Sequence, residues 1–390
     1  MKILKILFFA LLVISFTSCN NDEDYVDISI SDGDVIIEDV FNGILNLPED
    51  SFNYANIQLP AFFLDNDLQN EDNTPNNNPI TNPGATLGRV LFYDKKLSAN
   101  NTIACASCHN QEDGFSDTAV LSAGFEGGLT GRNSMGLANA KFYNNGRFFW
   151  DERAETLEDQ VLMPIQDAVE MGLTLDELEN KIGAETYYKV LFARAFGDSI
   201  ATRERISLSL AQFIRSMVSY ESKFDAGLSA TNNPQVNFPN FTASENLGKN
   251  LFFSNRTRCS DCHDTNAFVG DQARNNGLDA ILTDIGVTGV AGGNNDRGAF
   301  KVGSLRNIEL TAPYMHDGRF TTLGDVVDHY DSGIQNSNDL DNRLRVAGGQ
   351  VRRLNLTAAE RQGLIDFLMT LTDNNFITDE KYSDPFVSNN

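Results

Sequence analysis

The chain has 390 residues, of which 41% are hydrophobic and 22% charged, and its net charge is −24. That length allows two domains of ordinary size plus a tail, and the acidic balance argues against a nucleic-acid partner. The same charge would steer a basic partner on encounter, but a well-solvated acidic surface without a chosen partner explains it equally well. Charge alone therefore identifies no partner.

The first eighteen residues predict an export signal. Lys2 and Lys5 precede an apolar run at residues 6–16, which is too short to span a bilayer comfortably. The sequence Phe-Thr-Ser-Cys ending at Cys19 resembles a loose lipobox, in which Cys19 becomes the lipidated N-terminus. An ordinary signal peptide with a chance cysteine is the alternative. We expect an exported lipoprotein, anchored to the outer membrane only by lipid and facing the periplasm or the cell surface.

A short pattern occurs twice beyond an Asn- and Asp-rich stretch that covers residues 19–83. That stretch predicts a tether with a few anchoring strips, such as residues 57–64. The repeated pattern, L-G-basic-x-L-F-aromatic, lies at residues 87–93 and 247–253 and places leucines at i and i+4 of a short helix. Each copy precedes a CxxCH motif, which indicates a duplicated domain.

Four of the five cysteines lie in the two CxxCH motifs, at residues 105–109 and 259–263. In a c-type site the two thiols add to the haem vinyl groups, and the following histidine ligates the iron. A zinc site made from both motifs would not explain the histidine after each second cysteine, and a thioredoxin-like pair needs a βαβ context that is missing here. We predict two covalent haem c groups, held by Cys105, Cys108 and His109 and by Cys259, Cys262 and His263.

Strand signals are sparse, so the predicted fold is mainly α with little β, built as two tandem cytochrome c-like domains, each around one covalent haem. A stretch rich in Asn and Pro at about residues 222–243 is the expected linker. The expected segments are 1–18 for the signal peptide, 19–83 for the tether, 84–230 for the N-terminal domain, 240–375 for the C-terminal domain and 376–390 for a tail.

The positions of the remaining histidines indicate which residues could provide the sixth ligand of each haem iron. Only His316 and His329 are left, and both are C-terminal. The His109 haem therefore lacks a histidine candidate from its own domain, and we expect it to be open to a small oxidant. Met135 is an alternative ligand that would close it.

Several further motifs follow the two haem sites in a fixed order. GRNS lies at residues 131–134, FFWDERA at 148–154, TLEDQ at 156–160 and LTAPYMHDG at 310–318. In order and spacing they resemble the bacterial diheme cytochrome c peroxidases and their MauG-like relatives, over residues 84–375.

The resemblance implies roles for individual residues near the first haem. Trp150, the single tryptophan, matches an aromatic bridge between the haems, with a plain core tryptophan as the alternative. Glu170 matches the distal acid, which would move a proton between the two oxygens of peroxide, and Gln160 and Pro164 match its neighbours. On the bare sequence, Gln160 and Glu170 are ordinary exposed helix residues.

The resemblance also implies a calcium ion between the domains, at Asn133, Thr311 and Pro313, because side-chain and carbonyl oxygens suit that cation. One departure from the peroxidases is the loop at residues 122–127, which lacks the histidine that closes the first iron in many of them. Reductive activation is then not required.

A second departure concerns the distal ligand of the His263 haem. Fourteen residues after His316, where the peroxidases have a methionine, this chain has Tyr330, as MauG-like members do. Phenolate would lower the potential of that haem relative to a thioether. His329 is the nearest competitor, and a Tyr330 that merely packs in the core is the other alternative.

The leading expectation is a cytochrome c peroxidase type of enzyme that reduces hydrogen peroxide to water at the His109 haem. Electrons would come from a small cytochrome or cupredoxin through the His263 haem and Trp150. A MauG-like, peroxide-driven oxidation of a protein or small molecule is one alternative, and an electron-transfer lipoprotein without peroxide chemistry is another. Homodimers are common in the family.

Overall fold

The structure is a computed structural model that describes residues 40–291 and 296–387. The expectations for the signal peptide and for Cys19 lie outside these ranges. Within them, no helix combines the length and the apolar character needed to cross a membrane.

Helices of four to fourteen residues, joined by long loops, make up the described part of the chain. In chain order they are α1 (Asn66–Gln69), α2 (Asn82–Tyr93), α3 (Leu157–Gln160), α4 (Met163–Gln166), α5 (Leu175–Ala184), α6 (Thr186–Phe196), α7 (Arg203–Ser216), α8 (Lys223–Thr231), α9 (Ala243–Phe252), α10 (Thr288–Ala291), α11 (Leu323–Asp328), α12 (Ala358–Met369) and α13 (Asn374–Thr378). The β-structure in the same ranges consists of isolated bridges. The prediction of a mainly helical fold with little β is confirmed.

The repeated sequence pattern forms the same close helix contact twice. A Cβ atom on Gly88 in α2 would lie 2.0 Å from the carbonyl oxygen of Ser209 in α7. A Cβ atom on Gly248 in α9 would lie 1.7 Å from the carbonyl oxygen of Gly363 in α12. Each glycine is therefore required because a second helix backbone passes directly over it.

The basic residue of each repeat is also buried, and it holds a distant segment. Arg89 is 1% exposed and its Nε donates to the carbonyl of Ser383 at 2.6 Å. Lys249 is fully buried, and its Nζ donates to the carbonyls of Pro234 and Val236 at 2.5 and 2.9 Å. These donors satisfy carbonyls on loops that have no regular hydrogen-bonding partner.

Two main hydrophobic cores follow the two repeats. The first contains α2, α5, α6 and α7, and the second contains α8, α9 and α12. Phe224 and Leu228 of α8 pack in the second core, although the predicted N-terminal domain runs to residue 230. The domain boundaries themselves stay a prediction.

The segments on either side of the two haem regions pack into these cores. In the predicted tether, Tyr54 packs in the first core, whereas Phe63 and Leu68 belong to a third, smaller cluster. All three are at most 1% exposed, so more of that segment is anchored than residues 57–64. In the predicted tail, Phe376 and Tyr382 belong to the first core. The first core is therefore completed by residues that come before the first haem motif in the sequence and by residues that come after the second.

Candidate functional site

The first CxxCH motif folds as a tight turn that fixes its histidine. A 3₁₀ turn spans Cys105–Ser107, and the backbone N–H of His109 donates to the carbonyl of Cys105 at 3.0 Å. The Nδ1 atom of His109 lies 3.0 Å from the carbonyl oxygen of Phe115. Burial lowers the pKa of His109, so the ring is neutral and Nε2 is the atom available to an iron.

The second motif repeats this turn. A 3₁₀ turn spans Cys259–Asp261, the N–H of His263 donates to the carbonyl of Cys259 at 3.0 Å, and burial lowers the pKa of His263 to about 4. The thiols of both motifs are free, and burial raises the pKa of Cys105 to about 12 and that of Cys259 to about 11. Thiols of this kind are not poised for disulfide exchange.

Each motif borders its own cavity, and the residues that line the cavity show whether a covalent haem fits there. The cavity beside Cys108 and His109 has a volume of about 590 Å³, and the cavity beside Cys259, Cys262 and His263 has about 270 Å³. Thiols and a neutral imidazole on the wall of a largely apolar cavity are what covalent haem requires. Within the described ranges, no group of three or more His, Cys, Asp and Glu side chains could hold a bare metal ion.

The His109 cavity also contains the three residues predicted for the peroxide pocket. Gln160 on α3, Pro164 on α4 and Glu170 all line it. Burial and the nearby Asp167 raise the pKa of Glu170, against a smaller opposite effect of Arg153. A carboxyl group whose pKa is raised in this way holds a proton more readily than an ordinary glutamate, as a group that moves protons during a reaction must. Among the described residues that line this cavity, His109 is the single histidine.

The loop at residues 122–127 packs directly on the segment that carries Glu170. The backbone N–H of Phe125 donates to the carbonyl of Glu170 at 3.0 Å. A Cβ atom on Gly124 would lie 1.7 Å from the carbonyl oxygen of Val169. Glycine at this position thus permits a close backbone contact that supports the distal wall of the cavity.

Trp150 lies on the boundary between the two cavities and lines both. It is presented by a turn closed by a bridge between Phe148 and Ala154. Its indole Nε1 donates to the carbonyl of Asn133 at 2.8 Å, and its own carbonyl accepts from the N–H of Lys301 at 2.8 Å. These bonds fix Trp150 on the wall that the two cavities share, and its role as a bridge between the haems stays a prediction.

Tyr330 and His329 point to different surroundings. Helix α11 continues into a π-helical turn, His329–Gly333, and Tyr330 on that turn lines the His263 cavity. His329 is not among the described lining residues, and its Nε2 lies 3.1 Å from the carbonyl of Asn276. Burial raises the pKa of Tyr330 to about 12, so the phenol is protonated before any metal binds it.

The three residues predicted to hold calcium, Asn133, Thr311 and Pro313, all line the His263 cavity. The Nδ2 atom of Asn133 donates to the carbonyls of Ala119 and Val120 at 3.2 and 3.1 Å, which leaves Oδ1 to face a cation. Calcium at this position stays a prediction.

Other residues at the two cavities were not predicted as site residues. Met135, named only as an alternative ligand, and Lys301 both line the two cavities. Tyr143 lines the His109 cavity, and its hydroxyl donates to Glu152. Glu152 belongs to the FFWDERA motif, which could have indicated it. Nothing in the local sequence marks Lys301 or Tyr143.

Two haem-attachment motifs, each beside its own cavity, define a diheme c-type cytochrome. Residues 82–233 match the family described as di-haem cytochrome c peroxidase. Over 298 residues the chain is 31% identical to the methylamine utilization protein MauG of Methylophilus methylotrophus, covering 76% of this chain and 84% of that protein. It is 34% identical to cytochrome c551 peroxidase of Nitrosomonas europaea, covering 63% of this chain and 71% of the relative.

The fold agrees with a solved structure of a MauG-like protein associated with microbial copper homeostasis. That comparison has a TM-score of 0.70 and 31% identity, and it covers 87% of this chain and 99% of the other. The chain belongs to the diheme cytochrome c peroxidase and MauG family, whose members are peroxidase-type oxidoreductases. The predictions of this family and of two haem c groups are confirmed.

Proposed function

We propose that the protein reduces hydrogen peroxide to water at the His109 site, with electrons from a small cytochrome or cupredoxin. The observation that carries this proposal is that Glu170 and His109 border one cavity, which Trp150 joins to the second. An electron-transfer protein without peroxide chemistry would have no use for a half-buried carboxyl group with a raised pKa on the wall of the cavity that also holds its iron ligand.

The haem bound at His109 supplies the redox-active iron that peroxide requires. The protein's own contribution is to move protons and to shape the site. Glu170 takes a proton from one peroxide oxygen and delivers it to the leaving oxygen, so that water departs in place of hydroxide. The Gln160 amide and the Pro164 ring narrow the cavity beside it, and Trp150 provides the route by which electrons cross from the His263 side.

A second candidate is the MauG-like oxidation of a protein or small-molecule substrate. It is favoured by Tyr330 on the wall of the His263 cavity, because a phenolate ligand stabilises oxidised iron. Relatives named MauG match over 76% of this chain, which also supports it.

The proposal includes calcium at Asn133, Thr311 and Pro313, because Asn133 also holds Trp150 through its carbonyl. It further includes a lipid anchor on Cys19, which would keep the enzyme at a membrane outside the cytoplasm, where c-type haems are attached.

Steady-state assays of the haem-loaded protein test the proposal. We expect peroxide to be consumed with two equivalents of reduced cytochrome or cupredoxin oxidised for each peroxide. Absence of turnover with every such donor, together with peroxide-dependent oxidation of another substrate, would establish the MauG-like alternative. Two low-spin haems that do not react with peroxide would contradict both candidates.

A further inference from the structure

A cluster of buried polar groups beside the His109 cavity is not used by the proposed reaction. Tyr143 is 1% exposed, and its hydroxyl donates to Oε1 of Glu152. Glu152 is 8% exposed, and its Oε2 accepts from Nδ2 of Asn145 at 2.7 Å. The Nζ atom of Lys301 lies 3.0 Å from the centre of the Tyr143 ring and donates to the carbonyl of Arg147 at 2.7 Å.

This cluster is joined to the bridge between the cavities. Tyr143 and Trp150 line the same cavity, and the backbone N–H of Lys301 donates to the carbonyl of Trp150 at 2.8 Å. Glu152 follows Trp150 in the same turn and has a φ of 56°, in the left-handed region that a side chain adopts at some cost. The hydrogen bonds of its carboxylate offset that cost.

A phenol that loses an electron becomes a strong acid, so its oxidation requires a base at the hydroxyl. Four other buried or half-buried tyrosines donate to backbone carbonyls, which cannot take up a proton: Tyr54, Tyr93, Tyr314 and Tyr382. Tyr187 and Tyr188 donate to the carboxylate of Asp94 at 3.0 and 2.9 Å, but they are not among the described residues lining either cavity. Tyr143 combines a carboxylate partner, Glu152, with a place on the wall of the His109 cavity.

We propose that Tyr143 is a redox-active residue that supplies one of the two electrons used to reduce peroxide. In this step the phenolic O–H bond of Tyr143 breaks, and its proton forms an O–H bond on Oε1 of Glu152. One further electron, from the donor, and two protons from solvent complete the conversion of hydrogen peroxide to two waters. A neutral tyrosyl radical and a protonated Glu152 remain, and one more donor electron with return of the proton restores both.

The electrostatics of the pair agree with coupled loss of the electron and proton. Burial and the neighbouring Glu152 raise the pKa of Tyr143 above its ordinary value, so the phenol is protonated at rest. The inference rests on the proposed function, because peroxide is the oxidant.

Freeze-quench EPR tests the inference on haem-loaded protein that is given one reducing equivalent and then one equivalent of peroxide. We expect a tyrosyl radical whose spectrum narrows in protein made with ring-deuterated tyrosine. Tyr143→Phe, which keeps the ring beneath Lys301, should abolish it. Glu152→Gln, which keeps the shape and removes the base, should lower its yield roughly tenfold or more. Tyr188→Phe is the matched control and should leave the yield unchanged.

The inference is overturned if the radical persists in Tyr143→Phe, or if the signal belongs to tryptophan. Peroxide consumption is measured on the same samples. Wild-type protein that consumes peroxide but forms no tyrosyl radical refutes the role of Tyr143 and leaves the proposed function standing. Wild-type protein that consumes no peroxide refutes the proposed function itself. Haem absorbance and circular dichroism of each variant show that it is folded and loaded.

Discussion

Glu170 is placed where burial and Asp167 both disfavour its ionised form. Because a general base acts when it is deprotonated, the acid limb of kcat/KM for peroxide should lie above the ordinary Glu value of about 4.3. The rate should rise with pH through that limb, since the carboxylate is the active form. Glu170→Gln should lower kcat/KM roughly 100- to 10,000-fold and remove the limb.

Glu204→Gln provides the matched control for this measurement, because Glu204 is an exposed carboxyl group on the first turn of α7. It should change neither the rate nor the pH profile. A Glu170→Gln variant that retains the acid limb would show that another group accepts the proton.

Tyr330 gives the second prediction at the residue scale. With Tyr330 as the proposed phenolate ligand, Tyr330→Met would replace a hard anionic donor by a thioether, which favours reduced iron, so the potential of the His263 haem should rise. We expect a rise on the order of a few hundred millivolts, within the roughly 0.8 V that axial ligands span. Potentiometric titration followed by haem absorbance measures it.

Tyr314→Phe tests whether the effect is specific to a ligand. Tyr314 lines the same cavity, but its hydroxyl donates to the carbonyl of Ile308 at 3.0 Å. Its loss should leave the potential unchanged. An unchanged potential in Tyr330→Met would mean that Tyr330 only packs.

For individual residues, sites formed by neighbours in the sequence could be predicted, whereas contacts between residues far apart in the sequence could not. Each haem motif is contained in five consecutive residues, so the sequence alone indicates it. Tyr143 and Lys301 meet only through the fold, and neither belongs to a local pattern that names its partner.

At the scale of the helices, Gly88 lets α2 pack closely against α7, and Gly248 lets α9 pack closely against α12. Gly88→Ala and Gly248→Ala each force a methyl group into a facing backbone carbonyl. Each should lower the free energy of unfolding by about 1–3 kcal/mol. Chemical denaturation of the haem-loaded protein, followed by circular dichroism, measures the loss.

The control for these variants is Gly183→Ala in α5. Its added Cβ atom would lie 3.7 Å from the nearest atom, which is ordinary contact. Because alanine favours helix, stability should stay the same or rise by up to about 1 kcal/mol. Equal losses in all three variants would contradict the packing argument.

The repeated pattern at residues 87–93 and 247–253 was visible in the sequence, but the contacts that each of its residues makes were only partly predictable. The leucine spacing indicated a shared helix face, yet Leu87 is fully buried whereas Leu247 is 36% exposed. Both copies bury the second leucine of the pattern and the phenylalanine after it, and they also share the glycine contact and the buried basic residue. A sequence pattern cannot show which backbone passes over a glycine.

At the scale of the whole molecule, the C-terminal segment completes the core of the first haem region. Tyr382 packs against Phe115 and Phe376 with ring centres 6.3 and 5.3 Å apart, and the Phe115 carbonyl lies against Nδ1 of His109. Tyr382→Ala should therefore lower the free energy of unfolding by about 3–5 kcal/mol. It should also alter the absorbance of the His109 haem more than that of the His263 haem.

Val387→Ala in the same segment is the control for this prediction. Val387 is 41% exposed, so its loss should change stability by no more than about 0.5 kcal/mol. If Tyr382→Ala behaved in the same way, the segment would be a simple tail. The sequence predicted only a tail because the segment has three aromatic side chains, Phe376, Tyr382 and Phe386, whose partners lie far away in sequence.

Arg89 and Ser383, whose side chain and carbonyl meet in this core, are 294 positions apart. During synthesis, helix α2, which contains Arg89, is made long before the segment that contains Ser383. A chain cut short by a nonsense mutation or by a protease would carry both haem motifs and still fail to finish the earlier core. Residues 376–386 are therefore needed to complete the first core, and a chain that ends before them should be less stable than one that contains them.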